Sequence, residues 1–257
     1  MMRNSVILAV ALLLAACQPA RQIEPPNALA ARSAEAVAAA DKLVAMAQGS
    51  ATSGQAPRQT DPVAGRLLDQ VFDISALPTL LRDPADLPPA NRWAGAMIKV
   101  GQIYVMAGTG FTDASNAPTD AEARSLQNFV DYAPELGRFF DSEVVLLSTE
   151  CASIDYLRAV HSTGIDQSES VMTNLQFKVE KAYSAELSFM LNAGPTDAWK
   201  EARIKVLATE APRISGMLPP DSWAHLQQQA RQVAAQSDDP VLKTELEQFA
   251  TRIEPPQ

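Results

Sequence analysis

The chain has 257 residues, 21 Lys+Arg against 30 Asp+Glu, two His and two Cys, with a net charge of −9 and a pI near 4.8. Its acidic balance excludes nucleic acid as a partner, because a phosphate backbone needs a basic face, and it disfavours electrostatic docking on anionic lipid. Two His exclude a His-rich metal site, and 47% apolar with 20% charged residues describes a globular chain rather than a disordered one. Aromatics are only 6% and Ala is abundant, which favours helices over sheets.

The chain opens with Met1-Met2-Arg3-Asn4, then an apolar run from Val6 to Ala16, then Cys17-Gln18-Pro19. A charged start, a short apolar segment and small residues before a cleavage point make a secretory signal. The apolar run is too short to span ~30 Å of hydrocarbon as a helix. Residues 18–26 (QPARQIEPP) read as a Pro-rich tether. An Ala-rich helix is expected from Asn27 to Gln48, with Leu29, Val37, Leu43, Val44 and Met46 as a weak apolar face. It serves as a stalk or packs on the body. Gly49 to Thr60 (GSATSGQAPRQT) reads as a flexible linker, so the folded body is expected over 61–253.

Within the body the helix punctuation is dense. Asp61-Pro62 is an N-cap followed by Pro at the first helical position, opening a helix through Val63, Leu67, Leu68, Val71 and Phe72. A short helix is expected over Ser75–Arg82 and a Pro-broken loop over Asp83–Pro89. Ala90 to Gly108 is apolar nearly all round, as buried helices are, and Gly95 and Gly101 offer places of close approach. Thr119-Asp120-Ala121-Glu122 is a capping box. Pro134 breaks or kinks the helix that follows it. The stripe Leu136, Phe139, Phe140, Val144, Leu147, Cys151, Ile154, Leu157 and His161 runs to a C-cap at Gly164. A helix from Asp166 carries Val171, Leu175, Val179, Ala182, Leu187, Met190 and Leu191, with Asn174, Lys178 and Lys181 on its other side, and Gly194-Pro195 ends it. Trp199–Thr209 is one further helix, Pro219 or Pro220 opens another, and Asp239-Pro240 opens the last. Alternating β-branched runs bounded by turns are scarce. The expected fold is all-α: an irregular bundle of about eight helices.

Leu14-Ala15-Ala16-Cys17 resembles a lipobox, the signal of bacterial lipoproteins. The resemblance covers about the first twenty residues. It implies cleavage before Cys17, lipidation of its thiol and new amino group, and a membrane partner reached through a covalent lipid anchor. Several acyl chains at ~0.8 kcal/mol per buried methylene make such an anchor permanent. In the lipoprotein class an Asp after the Cys signals inner-membrane retention in enteric bacteria. Gln18 therefore implies the outer membrane, periplasmic leaflet. Acylation of Cys17 leaves one other cysteine, so no internal disulfide forms.

Candidate chemistry is sparse. Cys151 stands beside Glu150 and upstream of His161, but ten residues of helix separate Cys151 from His161 by ~15 Å. Cys151 also lies on the apolar stripe, where a thiol packs as a small hydrophobe. His161 falls at a helix C-terminus, where the dipole favours a cation. His225 falls near a helix start beside Trp223. Carboxylate pairs such as Glu180 with Glu186, or Asp238 with Asp239, read as solvated faces and caps. There is no HExxH, paired CxxC, EF-hand loop or G-x-S-x-G elbow, and no cofactor is implied. Glu169-Ser170 lacks the Gly-Leu-Met-Gln pattern that accompanies it in lytic transglycosylases. The expected function is a non-catalytic binding or structural module of the envelope with a protein partner. The alternative is an envelope enzyme on peptidoglycan or lipid, using carboxylates or Cys151.

Overall fold

The computed structural model describes residues 28–49, 55–77, 80–107, 127–160, 169–192, 196–214 and 216–252. The signal and tether, Cys17, the capping box at 119–122, His161, Gly164 and Gly194-Pro195 lie outside them. The fold is an all-α bundle, without a strand among the described residues. Its helices are α1 (Ala28–Gly49), α2 (Pro62–Phe72), α3 (Leu87–Val105), α4 (Ala133–Val160), α5 (Glu169–Asn192), α6 (Asp197–Ile214), α7 (Pro220–Gln236) and α8 (Pro240–Arg252). A further helical turn occupies 127–131.

Asp61 and Asp239 cap as their sequences require. Asp61 Oδ1 accepts from the amides of Val63 and Ala64, and Asp239 Oδ1 from those of Val241 and Leu242. Pro220 rather than Pro219 opens α7. Proline decides two other boundaries. α3 begins at Leu87, not Ala90, because prolines in a first turn forfeit no helical bond. At Pro134 the helix breaks: a turn at Tyr132 separates 127–131 from α4, whose first turn holds the proline. Of the short helix expected over 75–82, the described part is a single 3-10 turn, Ile74–Ala76. Asp83–Pro89 is not all loop: it holds a second 3-10 turn, Pro84–Asp86, and the start of α3. α6 runs on past Thr209 to Ile214, carrying Pro212 in its last turn.

Between the two dispositions open to the Ala-rich helix, the structure shows packing on the body. Leu29, Ser33, Ala36, Ala40 and Leu43 form its buried stripe against α3 and α2. Ser33 Oγ donates to the Pro89 carbonyl at 2.7 Å, and Lys99 pairs with Asp41 at 2.6 Å. Small Ala side chains let the two backbones approach closely. The body thus reaches back to Ala28, and the boundary drawn at Asp61 assigned to the tether a helix that belongs to the core.

The linker reading of 49–60 also needs correction over 55–60. Tyr132 Oη accepts from the Ala56 amide at 3.0 Å, and Tyr104 Oη donates to the Pro57 carbonyl at 2.9 Å. Glu135 Oε1 accepts from the Gln59 amide at 2.7 Å, and the Arg58 guanidinium lies 4.0 Å over the Tyr132 ring. These residues form a strap bonded to the body rather than a free spacer. Gly65 lies under it: a Cβ there would stand 2.5 Å from the Gln59 carbonyl oxygen. Glu135 holds that backbone in place, so the clash has no cheap relief. Gly65→Ala is expected to cost ~1–3 kcal/mol, read as a lower midpoint in urea unfolding. Unchanged stability would show that the strap yields.

Two apolar clusters make up the core. The first joins α1, α2, α3 and the start of α4, and includes Trp93, Tyr104, Leu136, Phe139 and Phe189. The second joins the rest of α4 to α5, α6, α7 and α8, and includes Cys151, Tyr183, Leu207, Trp223 and Phe249. α4 serves both. Its 28 residues extend ~42 Å, and residues 146–151 are buried without interruption, so at that level the helix is enclosed on every side. Polar residues within it hold the ends of neighbouring elements. Ser142 Oγ donates to the Phe72 carbonyl at the end of α2, and Ser153 Oγ accepts from the Leu81 amide. Of the two glycines expected at close approaches, Gly101 is one: a Cβ there would meet the Phe139 ring at 2.7 Å. Gly95 faces open space.

Candidate functional site

The most unusual chemistry of the molecule lies where α4, α5 and α6 meet. Each helix supplies residues one turn apart, which places them on one face: Gly137 and Asp141 from α4, Glu186 and Phe189 from α5, Trp199 and Arg203 from α6. Gly137 makes room for the others. A Cβ there would stand 2.6 Å from Arg203 Nη1 and 3.0 Å from Trp199 Nε1. The Trp199 ring meets Phe189 edge-on at 4.8 Å, and the Arg203 guanidinium sits 5.3 Å from the Trp199 ring centre. Phe140 and Phe129 extend the aromatic wall from Phe189.

Arg203 Nη2 pairs with Asp141 Oδ2 at 2.7 Å, with both side chains largely withdrawn from solvent. Beside this pair, Glu186 is 1% exposed and both its carboxyl oxygens are buried without a hydrogen-bond partner. An ionised carboxylate there would lose its hydration with nothing in exchange. Desolvation pushes the Glu186 carboxyl well above the ordinary range; the charges of Asp141 and Glu143 push the same way, and Arg203 opposes. Burial likewise pushes Asp141 up to about 7 against the pull of Arg203, and Glu143 up to about 7 against Lys181. One guanidinium neutralises one carboxylate. Asp141 holds it, so Glu186 is the group kept protonated.

A second acid lies further along α4. Burial pushes Glu150 up to about 7, with Lys178 of α5 opposing. The pairings 141 with 186, 143 with 181 and 150 with 178 fix α4 and α5 as antiparallel. In the same region Arg213 Nη2 donates to Thr149 Oγ1 at 2.9 Å while Nη1 pairs with Glu210 at 2.6 Å. Glu180 accepts from Ser222 Oγ at 2.6 Å.

Neither described candidate from the sequence joins this junction. Cys151 is 1% exposed, a free cysteine packed within the second apolar cluster. His225 lies exposed in the second turn of α7. Glu186 was grouped with solvated carboxylates by sequence; the structure buries it completely. Its signal was positional: Glu186 falls seven residues after Val179, four after Ala182 and three after Tyr183, inside the apolar stripe of α5. Lys178 and Lys181, expected to face away, are half-buried against the α4 acids.

The arrangement can hold a proton on a buried carboxyl. Among the described residues, no group of three or more His, Cys, Asp or Glu has the arrangement to hold a metal ion, and no helix is long and apolar enough to cross a membrane. No family model, curated protein or solved structure matches this chain.

Proposed function

We propose that the protein is a lipid-anchored module of the bacterial envelope, held on the periplasmic face of the outer membrane, which binds an envelope protein rather than turning over a substrate. The observation that carries this reading is the sequence Leu14-Ala15-Ala16-Cys17 behind a charged start and a short apolar run. The position of α1 adds a distance. Ten residues, 18–27, separate Cys17 from the start of α1, a span of at most ~35 Å of fully extended backbone. A body so tethered works near the bilayer surface, which favours a partner on or close to the same membrane. An acidic body suits this, because the anchor needs no help from charge. The burial of Cys151 speaks against the enzymatic alternative in its thiol form.

Intact-mass analysis of protein made in a bacterium is expected to show a chain that begins at Cys17 and carries acyl chains. It is expected in the membrane fraction, and a Cys17→Ala variant outside it. A retained leader, or an unmodified Cys17 thiol, would overturn the anchor. Cross-linking in cells, compared between wild type and the unanchored variant, tests the partner. Cross-links to an envelope protein that vanish without the anchor support the reading, and their absence in both counts against it.

A further inference from the structure

We propose that Glu186 is a proton-operated latch: protonated, it lets α5 sit closed against the Arg203–Asp141 ion pair, and ionised, it competes with Asp141 for Arg203 and loosens the α4–α5–α6 junction. The inference rests on geometry, and it stands apart from any anchoring at Cys17. Glu186 is buried with both oxygens lacking a hydrogen-bond partner. The adjacent Arg203 is already engaged by Asp141 at 2.7 Å, and Asp141 Oδ1 is itself buried without a partner. Two carboxyls therefore face one guanidinium.

The charged groups acting on Glu186 come from two helices: Asp141 and Glu143 of α4 favour its neutral form, and Arg203 of α6 favours its anion. Lys181, on α5 itself, acts on Glu143. α7, also packed against α5, contributes polar contacts from Ser222 to Glu180 and from Gln229 to Ser188, and no charged residue of α7 is among the groups acting on Glu186. When Glu186 loses its proton to solvent, Arg203 stays protonated. The site then holds one negative charge too many, and the anion draws on Arg203, whose Nε is buried without a partner, or swings toward water. Both movements disturb Trp199, which lies against Arg203 and Phe189. The junction closes in acid and loosens as the medium turns alkaline.

The test is a tryptophan-fluorescence titration of the full-length protein from pH 5 to 9, with a thermal melt at each pH. Wild type is expected to show a transition, above the ordinary carboxyl range, that Glu186→Gln lacks. That variant is also expected to melt higher than wild type at pH 8 and no higher at pH 5. In Asp141→Asn, Arg203 is released to Glu186, and the Glu186 transition is expected at least one pH unit lower. Coincident profiles for wild type and Glu186→Gln overturn the proposal, as does a uniform shift in melting temperature at every pH. An unmoved transition in Asp141→Asn overturns it too, and that variant decides alone if Glu186→Gln fails to fold.

Discussion

Replacing Arg203 by Met is expected to cost about 3 kcal/mol at pH 8, the lower end of the range for breaking a buried ion pair. The methionine keeps most of the stem packed over Gly137, so little of the loss comes from volume. It comes from Asp141, left without its counter-ion beside Glu143 and Glu186. The lower end applies because the Asp141 side chain keeps 19% of its exposure, which lets water screen part of the charge. The loss should shrink at pH 5, where Asp141, once deprived of Arg203, takes up a proton and needs no partner. The double replacement Arg203→Met with Asp141→Asn should cost less than Arg203→Met alone, since removing both charges leaves none stranded. Urea unfolding at the two pH values measures all of this. A loss below 1 kcal/mol at pH 8 would mean that the ion pair is not withdrawn from water in solution.

The second large effect is the pH dependence of the whole protein. Asp141, Glu143 and Glu150 are each pushed up to about 7 by burial, and Glu186 is raised as well. Between the unfolded carboxyl range near 4 and these folded values, the native state binds more protons than the unfolded state. Stability therefore falls as pH rises through this window. The contribution is fully present below about pH 4 and lost by about pH 8. Two capping acids act the other way. The Ala64 and Val63 amides hold Asp61 below its usual range, and the Ser75 hydroxyl does the same for Asp73. Their support is present above pH 4 and lost on acidification below it, and both are exposed enough to make it small. The balance places maximum stability near pH 4. Each fully engaged group contributes ~1.4 kcal/mol per pH unit, so a fall of several kcal/mol is expected between pH 5 and pH 8. Denaturant midpoints measured across that range give the slope directly. A flat profile, or a maximum above pH 7, would contradict the burial of these acids.

The helical class and most boundaries were legible because they depend on local chemistry. Asp61, Asp239 and the prolines at 62, 220 and 240 act within one turn, and a turn is visible in sequence. The role of α1 was harder to see. Val37 and Val44 suggested a weak face, but both are only half-buried, and the packed stripe runs through Ser33, Ala36, Ala40 and Leu43. Small residues carry little hydrophobic signal, yet they permit the closest packing between helices. The strap at 55–60 escaped notice for a related reason: its partners Tyr132 and Glu135 lie more than seventy residues away. The acid junction was the least legible. A glutamate reads as surface unless its register is followed, and Glu186 occupies an apolar register between Ala182 and Met190. Cys151 lies on the apolar stripe of α4 and is buried in the second cluster.

Because one long rod is walled in by both clusters, the described residues show no seam along which the molecule divides. A break in the chain near its middle would strand two half-built interiors, each lacking the surface against which its other helices close. Recombination or truncation at that level should yield aggregating fragments rather than working pieces.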